Sequence, residues 1–222
     1  MRFKAPKRKH EIKEDKFITA AFVISEFFKN HWKKLLAVLA GILVVIIIVL
    51  SISTHQKSVK KQVLRQFDVA MSYYSNNDFE QAEKEFNTLI ENYSSIKEHK
   101  LAYLYLAKIC LEKDSVNYTQ AKKYFEKAAY KIKNDILRQA AMIGIAKCYL
   151  GQNNEEKYCS YLEKAAKEFP HSFQTPQLLF EIAEYYFEKN NMESAKGFYN
   201  QIVEKYETSS VFNKAKRRLD EI

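Results

Sequence analysis

Residues that interrupt regular structure are scarce in this sequence, with four glycines and three prolines in 222 residues against an average usage of about 7% and 5%. A chain with so few breakers is expected to be nearly all helix. Cysteine is also rare, and its count of three (Cys110, Cys148 and Cys159) is odd, which argues against a disulfide framework. The five histidines, His10, His31, His55, His99 and His171, are scattered without zinc-protease spacing. No G-x-S-x-G, phosphate-cradling glycine loop or paired-cysteine metal motif is present, so the sequence gives no reason to expect catalysis, a metal or a cofactor. With 28% charged and 47% hydrophobic residues, the bulk of the chain reads as globular rather than disordered.

The formal charge of +9 is unevenly placed. Residues 1–34 hold ten Lys/Arg and four Asp/Glu, whereas the remainder holds 26 and 23. A nucleic-acid-binding domain concentrates its positive charge on the folded part, and this distribution argues against one.

No charged residue occurs between Lys34 and Lys57, and residues 35–52 read LLAVLAGILVVIIIVLSI. As helix, the 22 uncharged residues 35–56 reach about 33 Å, enough for a hydrocarbon core of about 30 Å. The run is apolar on every side, which fits a transmembrane helix better than a buried core helix. A cleaved signal peptide fits less well. The run exceeds the usual apolar length, its leader has 34 residues, and the only small-x-small site is Ser51-Ile52-Ser53. Flanking charges within about twenty residues are balanced, but Arg2, Lys4, Lys7, Arg8, Lys9 and Lys13 tip the short tail towards the cytoplasm. Before the span, Phe17, Ile18, Ala21, Phe22 and Phe28 fall largely on one helical face. Such a helix would lie among headgroups with Trp32 as anchor and Lys33 and Lys34 at the phosphates. A docking helix for a membrane partner and an inert stop region are equally open.

The remainder is repetitive. NNDFEQAEKEF (76–86) and KNNMESAKGFY (189–199) share a polar bend, an alanine and an aromatic one turn later. Between them, NYTQAKKYFEKAA and KYCSYLEKAAKEFP continue the pattern, so that positions 82, 121, 158 and 195 are spaced by 39, 37 and 37 residues. A fixed period of this length means stacked supersecondary units. Each unit reads as two helices joined at Asn76-Asn77-Asp78, Gln152-Asn153-Asn154 or Asn190-Asn191, where Asn and Asp satisfy local backbone groups and tolerate left-handed conformations. The small residue lets two backbones approach and the aromatic covers the seam.

These positions resemble the tetratricopeptide repeat family over residues 63–208. Its small residue matches Ala70, Ala107, Ala146 and Ala183, and its tyrosine matches Tyr73, Tyr149 and Tyr186, with Cys110 departing. Its second-helix alanine matches Ala82, Ala121 and Ala195, with Tyr158 departing, and its helix-ending proline survives at Pro170. The expected fold is all-α: a single N-terminal transmembrane helix, then an α-solenoid of about four helix pairs and a C-terminal capping helix. The expected boundaries are 1–34 for a basic tail, 35–56 for the span and 57–222 for the repeats, the repeats being 63–98, 100–137, 139–174 and 176–208 and the cap 209–222. Val211, Ala215 and Leu219 are expected to face inward, with Lys214, Lys216, Arg217, Arg218, Asp220 and Glu221 forming the polar outer face. No Gly or Pro separates Ile52 from Phe67, so the transmembrane helix is expected to continue into the first repeat helix.

The family geometry implies a concave groove made by the first helices. Carried over by position, it comprises Phe67, Met71, Tyr74, Leu104, Lys108, Leu111, Ile143, Lys147, Leu150, Phe180, Glu184 and Phe187. Aromatics and Met with two lysines suit an amphipathic or extended segment bearing negative charge, though the apolar members also suit packing between units. Cys148 and Cys159 fall in the two helices of one repeat, where they either pair in an oxidising compartment or serve as buried apolar residues. The layout of short basic tail, single span and repeats is similar to the ancillary SecYEG translocon subunit, and residues 169–206 also look like repeats of cell-division coordinator proteins. These resemblances imply a bacterial inner-membrane protein, N-terminus cytoplasmic and repeats periplasmic. It would act as an interaction scaffold whose partners are translocon subunits, a periplasmic chaperone, secretory clients or components of an envelope complex. A structural adaptor of a cell-division or flagellar-motor collar complex, self-association, and a receptor with its repeats in the cytosol remain alternatives.

Overall fold

A computed structural model describes the backbone of residues 11–93 and 97–222, with side chains from Ile18 onward except at 94–98. The basic residues before Glu11 and the side chain of Phe17, expected to mark the tail and its apolar face, lie outside the described residues. The chain is all-helical, with nine α-helices and no strand among the described residues. It divides into two units, residues 1–59 and 60–222.

The described part of the first unit is a stretch of α1 (Glu11–Ser75), a helix without interruption from Glu11 through Ser75. Leu36, Ile46 and Ile52 each expose more than half of their surface. α1 is the one described helix long and apolar enough to cross a membrane by length and composition. Trp32 is exposed, with Lys33 Nζ 5.8 Å from its ring centre.

The second unit is an α-solenoid. Its hairpins are the end of α1 with α2 (Phe79–Asn92), α3 (Ala102–Glu112) with α4 (Tyr118–Lys131), α5 (Asp135–Gly151) with α6 (Glu155–Glu168), and α7 (Thr175–Glu188) with α8 (Met192–Lys205). α9 (Phe212–Glu221) packs on α8 as the cap. Ala70, Ala107, Ala146, Ala183, Ala82, Ala121 and Ala195 are all fully buried, so the helices meet backbone to backbone at these points. One turn beyond each second-helix position sit Phe86, Phe125, Leu162 and Tyr199, all buried, each worth roughly 1.5–3 kcal/mol of burial. Tyr158, which replaces the alanine in the third hairpin, is half-buried and its hydroxyl donates to Glu181 Oε2 at 2.9 Å.

The bends show how a chain with little glycine reverses direction. Asn77, Asn153 and Asn190 have φ of 60°, 58° and 58°, the left-handed position that usually belongs to glycine at a helix end. In each case two backbone bonds close the turn. Asp78 N–H donates to Tyr73 O at 3.0 Å, and Asn154 and Asn191 donate to Tyr149 O and Tyr186 O at 2.9 Å. The next residue caps the following helix: Asp78, Asn154 and Asn191 accept from the backbone N–H groups of Gln81, Lys157 and Ser194 at 3.2, 3.1 and 3.1 Å. In the second hairpin the two extra residues remove the left-handed step. Lys113 is extended, Asn117 N–H reaches Cys110 O at 2.8 Å, and Asn117 still caps α4 through Gln120 N–H at 2.9 Å.

Because each hairpin runs out along its first helix and back along its second, this unit has two ends. The bends form one, linked by Lys113 to Glu83, by Gln152 to Thr119 at 3.1 Å and by Lys189 to Glu155 at 2.7 Å. The other holds the start of the unit, where Val63 shares a core with Leu89, and the junctions between hairpins. There Arg138 pairs with Glu168, and Tyr206 Oη donates to Pro170 O at 2.8 Å.

Tyrosine hydroxyls bonded to carboxylates also join the helices. Tyr74 donates to Glu112 at 2.6 Å, Tyr186 to Glu163 at 2.8 Å, and Tyr199 to Glu184. Burial first, then the hydrogen bond to the glutamate and its charge, raise Tyr74, Tyr158, Tyr186 and Tyr199 above the ordinary tyrosine value. A tyrosine that holds its proton more tightly when folded contributes stability that is complete below its unfolded pKa of 10.0 and declines as the pH rises through the folded value. The urea midpoint of unfolding is therefore expected to fall between about pH 9 and about pH 11, with a shallower fall in Tyr186→Phe. Replacing the cap Asn191 by Ala is expected to lower unfolding free energy by about 1 kcal/mol, measured in the same titration at neutral pH.

Candidate functional site

Five of the twelve residues assigned to a groove come together in one cleft between α3 and α5. Leu104, Lys108 and Leu111 line one wall and Ile143 and Lys147 the other, around a cavity of about 480 Å³. Their spacing explains the grouping, since residues three and four apart on a helix share a face and the first helices of successive hairpins lie side by side. Leu101, Tyr105, Leu137, Ala140, Gly144 and Gln174 complete the lining, and Phe125 forms part of its floor. Lys108 and Lys147 are exposed, while Leu104 is buried and Leu111 and Ile143 are half-buried. The Lys108 ammonium lies 5.4 Å from the Tyr105 ring centre, and neither lysine has an ion pair among the described residues. The site is thus an apolar trough with two uncompensated cations at its edge.

Sequence reading missed two parts of the cleft. A Cβ at Gly144 would collide with the Phe125 ring, so glycine is what lets α5 rest on α4 there. Its only signal was a glycine in mid-helix. Gln174 contributes a buried Oε1 that has no hydrogen-bond partner among the described residues, and nothing in the repeat pattern pointed to it.

The other seven residues lie elsewhere. Phe67 packs edge-on against Phe86 and Tyr105, with ring centres 5.6 and 5.7 Å away. Met71 packs against the core that holds Val63, Phe86 and Leu89, as does Tyr74, whose hydroxyl is taken by Glu112. Leu150 is exposed outside the cleft, and Phe180 leans on Tyr199 at 5.8 Å. Glu184 is held by the cap: Arg218 Nε and Nη2 donate to its two oxygens at 2.9 and 2.8 Å, and Tyr199 donates to it as well. Burial alone would raise the pKa of Glu184, but the bonds from Arg218 and Tyr199 and the Arg218 charge bring it below the ordinary carboxylate value. Phe187 lies under the same guanidinium, 4.9 Å from its centre. Arg218, expected on the outer face of the cap, therefore points inward and locks α9 onto α7.

Cys148 shares a core with Cys110, whereas Cys159 lies in another with Leu162 and Tyr199, and all three are free thiols. Burial pushes Cys148 up to about 11 and Cys159, assisted by the Glu163 charge, up to about 12. Among the described residues no group of three His, Cys, Asp or Glu is gathered as a metal site.

A stack of capped helical hairpins with an apolar trough on the face of its first helices is a repeat scaffold. The sequence matches the tetratricopeptide repeat-like domain over residues 25–222, and the chain belongs to that family. Domains of this kind are typically non-catalytic and bind proteins. A crystal structure of a tetratricopeptide repeat protein from Parabacteroides merdae superposes with a TM-score of 0.57 at 14% identity, covering 71% of this chain and 59% of that one. The TPR-like repeats of a putative kinesin light chain from Podosopora anserina align with a TM-score of 0.48 at 13% identity, over 64% of this chain and 74% of that one. At such identity the first of these supports the fold alone. A search of curated proteins finds no match.

The thiols give a direct check on the packing. At pH 8, below the values of Cys148 and Cys159, a maleimide is expected to leave all three cysteines of the native protein unmodified and to label all three in urea, read by intact mass.

Proposed function

We propose that this protein is a membrane-anchored scaffold of the bacterial envelope. Its repeats act outside the cytoplasm as an accessory of the protein translocation machinery, holding secretory clients or a chaperone. The observation that carries this reading is the combination of an apolar, unburied helix with a repeat domain bearing the α3/α5 cleft. The family match begins at residue 25, so the apolar helix falls within the matched region rather than ahead of it. Anchoring raises local concentration, so that weak cleft contacts suffice.

The trough accepts apolar side chains at Leu104 and Ile143, and the ammonium groups of Lys108 and Lys147 favour a segment that also carries acid. This chemistry fits an unfolded or amphipathic chain better than a small molecule with fixed polar groups. Photocrosslinking in cells from position 147, with the outward Lys164 as control, is expected to capture translocon subunits, chaperones or many secretory chains. Capture of a single abundant envelope protein would instead assign the chain to a structural adaptor. Lys108→Glu combined with Lys147→Glu is expected to reduce capture roughly tenfold, as expected for two partly exposed ion pairs. Reporter fusions at both termini test the orientation, and a cytosolic C-terminus would refute the envelope assignment.

A further inference from the structure

The repeat unit is not uniform from end to end. The large apolar residues that it exposes most are Tyr130 at 90%, Phe173 at 74% and Ile136 at 52%. All three lie at the junction end, at the close of α4, in the connection before α7 and in the first turn of α5. None is needed by the fold, since the adjoining core positions are filled by Ile132, Phe169 and Leu178. At the same end Lys100, Lys131 and Lys133 rim a second, smaller pocket of about 280 Å³ floored by Leu101, Ile132 and Leu137. These lysines form no ion pair among the described residues, although the Lys131 ammonium lies 5.2 Å from the Tyr103 ring centre. The nearby Asp135 and Glu168 are both taken by Arg138. Exposed acids occur at both ends: Asp114, Glu156 and Glu193 near the bends, Glu91 and Glu207 near the junctions beyond α2 and α8.

Exposed aromatic and aliphatic side chains interspersed with unpaired lysines are what an anionic lipid surface recognises: the cations meet headgroup phosphates and the apolar groups enter the acyl boundary. The topology supplies a second, independent argument. The hairpins run out and back, so the junction end is also the end at which the chain enters this unit at Lys60, eight residues in sequence after Ile52 closes the apolar run. An acidic protein would satisfy the lysines but leaves the coincidence with the entry point unexplained. We infer that the junction end of the repeat unit docks on the anionic surface of the membrane that holds the anchor, through Lys100, Lys131 and Lys133 with Tyr130, Ile136 and Phe173 inserted. This inference rests on the membrane-anchored reading. Docking there would leave the bend end turned towards soluble partners.

The test uses the full chain reconstituted in phosphatidylcholine vesicles with and without phosphatidylglycerol. An environment-sensitive fluorophore is placed on Phe173→Cys or, at the opposite end, on Asp114→Cys, in a protein whose native thiols are shielded. Docking predicts that a quencher carried in the bilayer dims the Phe173→Cys label and not the Asp114→Cys label, and does so only with phosphatidylglycerol present. Each of Lys100→Gln, Lys131→Gln and Lys133→Gln is expected to lower the docked-to-free ratio by roughly fivefold, with helicity by circular dichroism unchanged. Equal dimming at both ends, no dimming at either, or dimming that ignores phosphatidylglycerol overturns the inference. So does shielding of the Phe173→Cys label from aqueous iodide without bilayer quenching, which identifies a second copy of the chain on this surface. Co-flotation of the chain with vesicles separates the two readings. Failure to co-float after reconstitution removes the anchor and the docking together, whereas co-flotation without quenching removes the docking alone.

Discussion

Reversal of a helix within two or three residues is the constraint on which the repeat unit depends. A tight reversal leaves the last carbonyls of one helix and the first N–H groups of the next without partners, and it asks for a left-handed residue that most side chains resist. Asn77, Asn153 and Asn190 take that conformation, and Asp78, Asn154 and Asn191 satisfy the donors that follow. Once the reversal is made, the antiparallel helices can close on each other only where the side chains are small. The fully buried alanines mark those points. Closure in turn brings Phe86, Phe125 and Tyr199 over the seams, and the stacking of hairpins buries what a single hairpin would leave in water.

The same geometry sorts chemistry to particular places. Side-by-side first helices create the trough in which Leu104, Lys108, Ile143 and Lys147 converge. The last hairpin has the same kind of face, but its groove positions are consumed by the cap, because Arg218 both chelates Glu184 and covers Phe187. α9 is joined to α7 by this ion pair, reinforced by the hydroxyl of Tyr199. The open cleft therefore lies between the middle hairpins. The two ends of the unit differ as well, since the most exposed large apolar residues, Tyr130, Phe173 and Ile136, all lie at the junctions.

Much of the fold was legible because its signals are local. The period of 37 to 39 residues, the Asn-rich bends and the small-then-aromatic pattern report interactions within a few residues or across one hairpin. The apolar run beginning at Leu35 is likewise readable from composition. The cleft was legible in part: two of the four helices assigned to it contribute, and Lys108 and Lys147 stand exposed at its edge. Phe67, Tyr74, Glu184 and Phe187 carry the same periodicity as the cleft residues, yet Phe67 is occupied by Phe86, Tyr74 by Glu112, and Glu184 and Phe187 by Arg218. Periodicity identifies a face but does not say what already lies against it.

The sequence by itself thus determined the helical class, the hairpin register and the apolar segment, since each follows from propensity, bend chemistry and hydropathy acting over short range. Tertiary structure alone decided that Cys148 shares a core with Cys110 rather than Cys159, that Arg218 turns inward, and that Tyr130, Ile136 and Phe173 stay exposed at one end. The physical reason is that these depend on the curvature and stacking of whole hairpins, which bring together residues 30 to 40 positions apart, as in Arg218 with Glu184 and Tyr206 with Pro170.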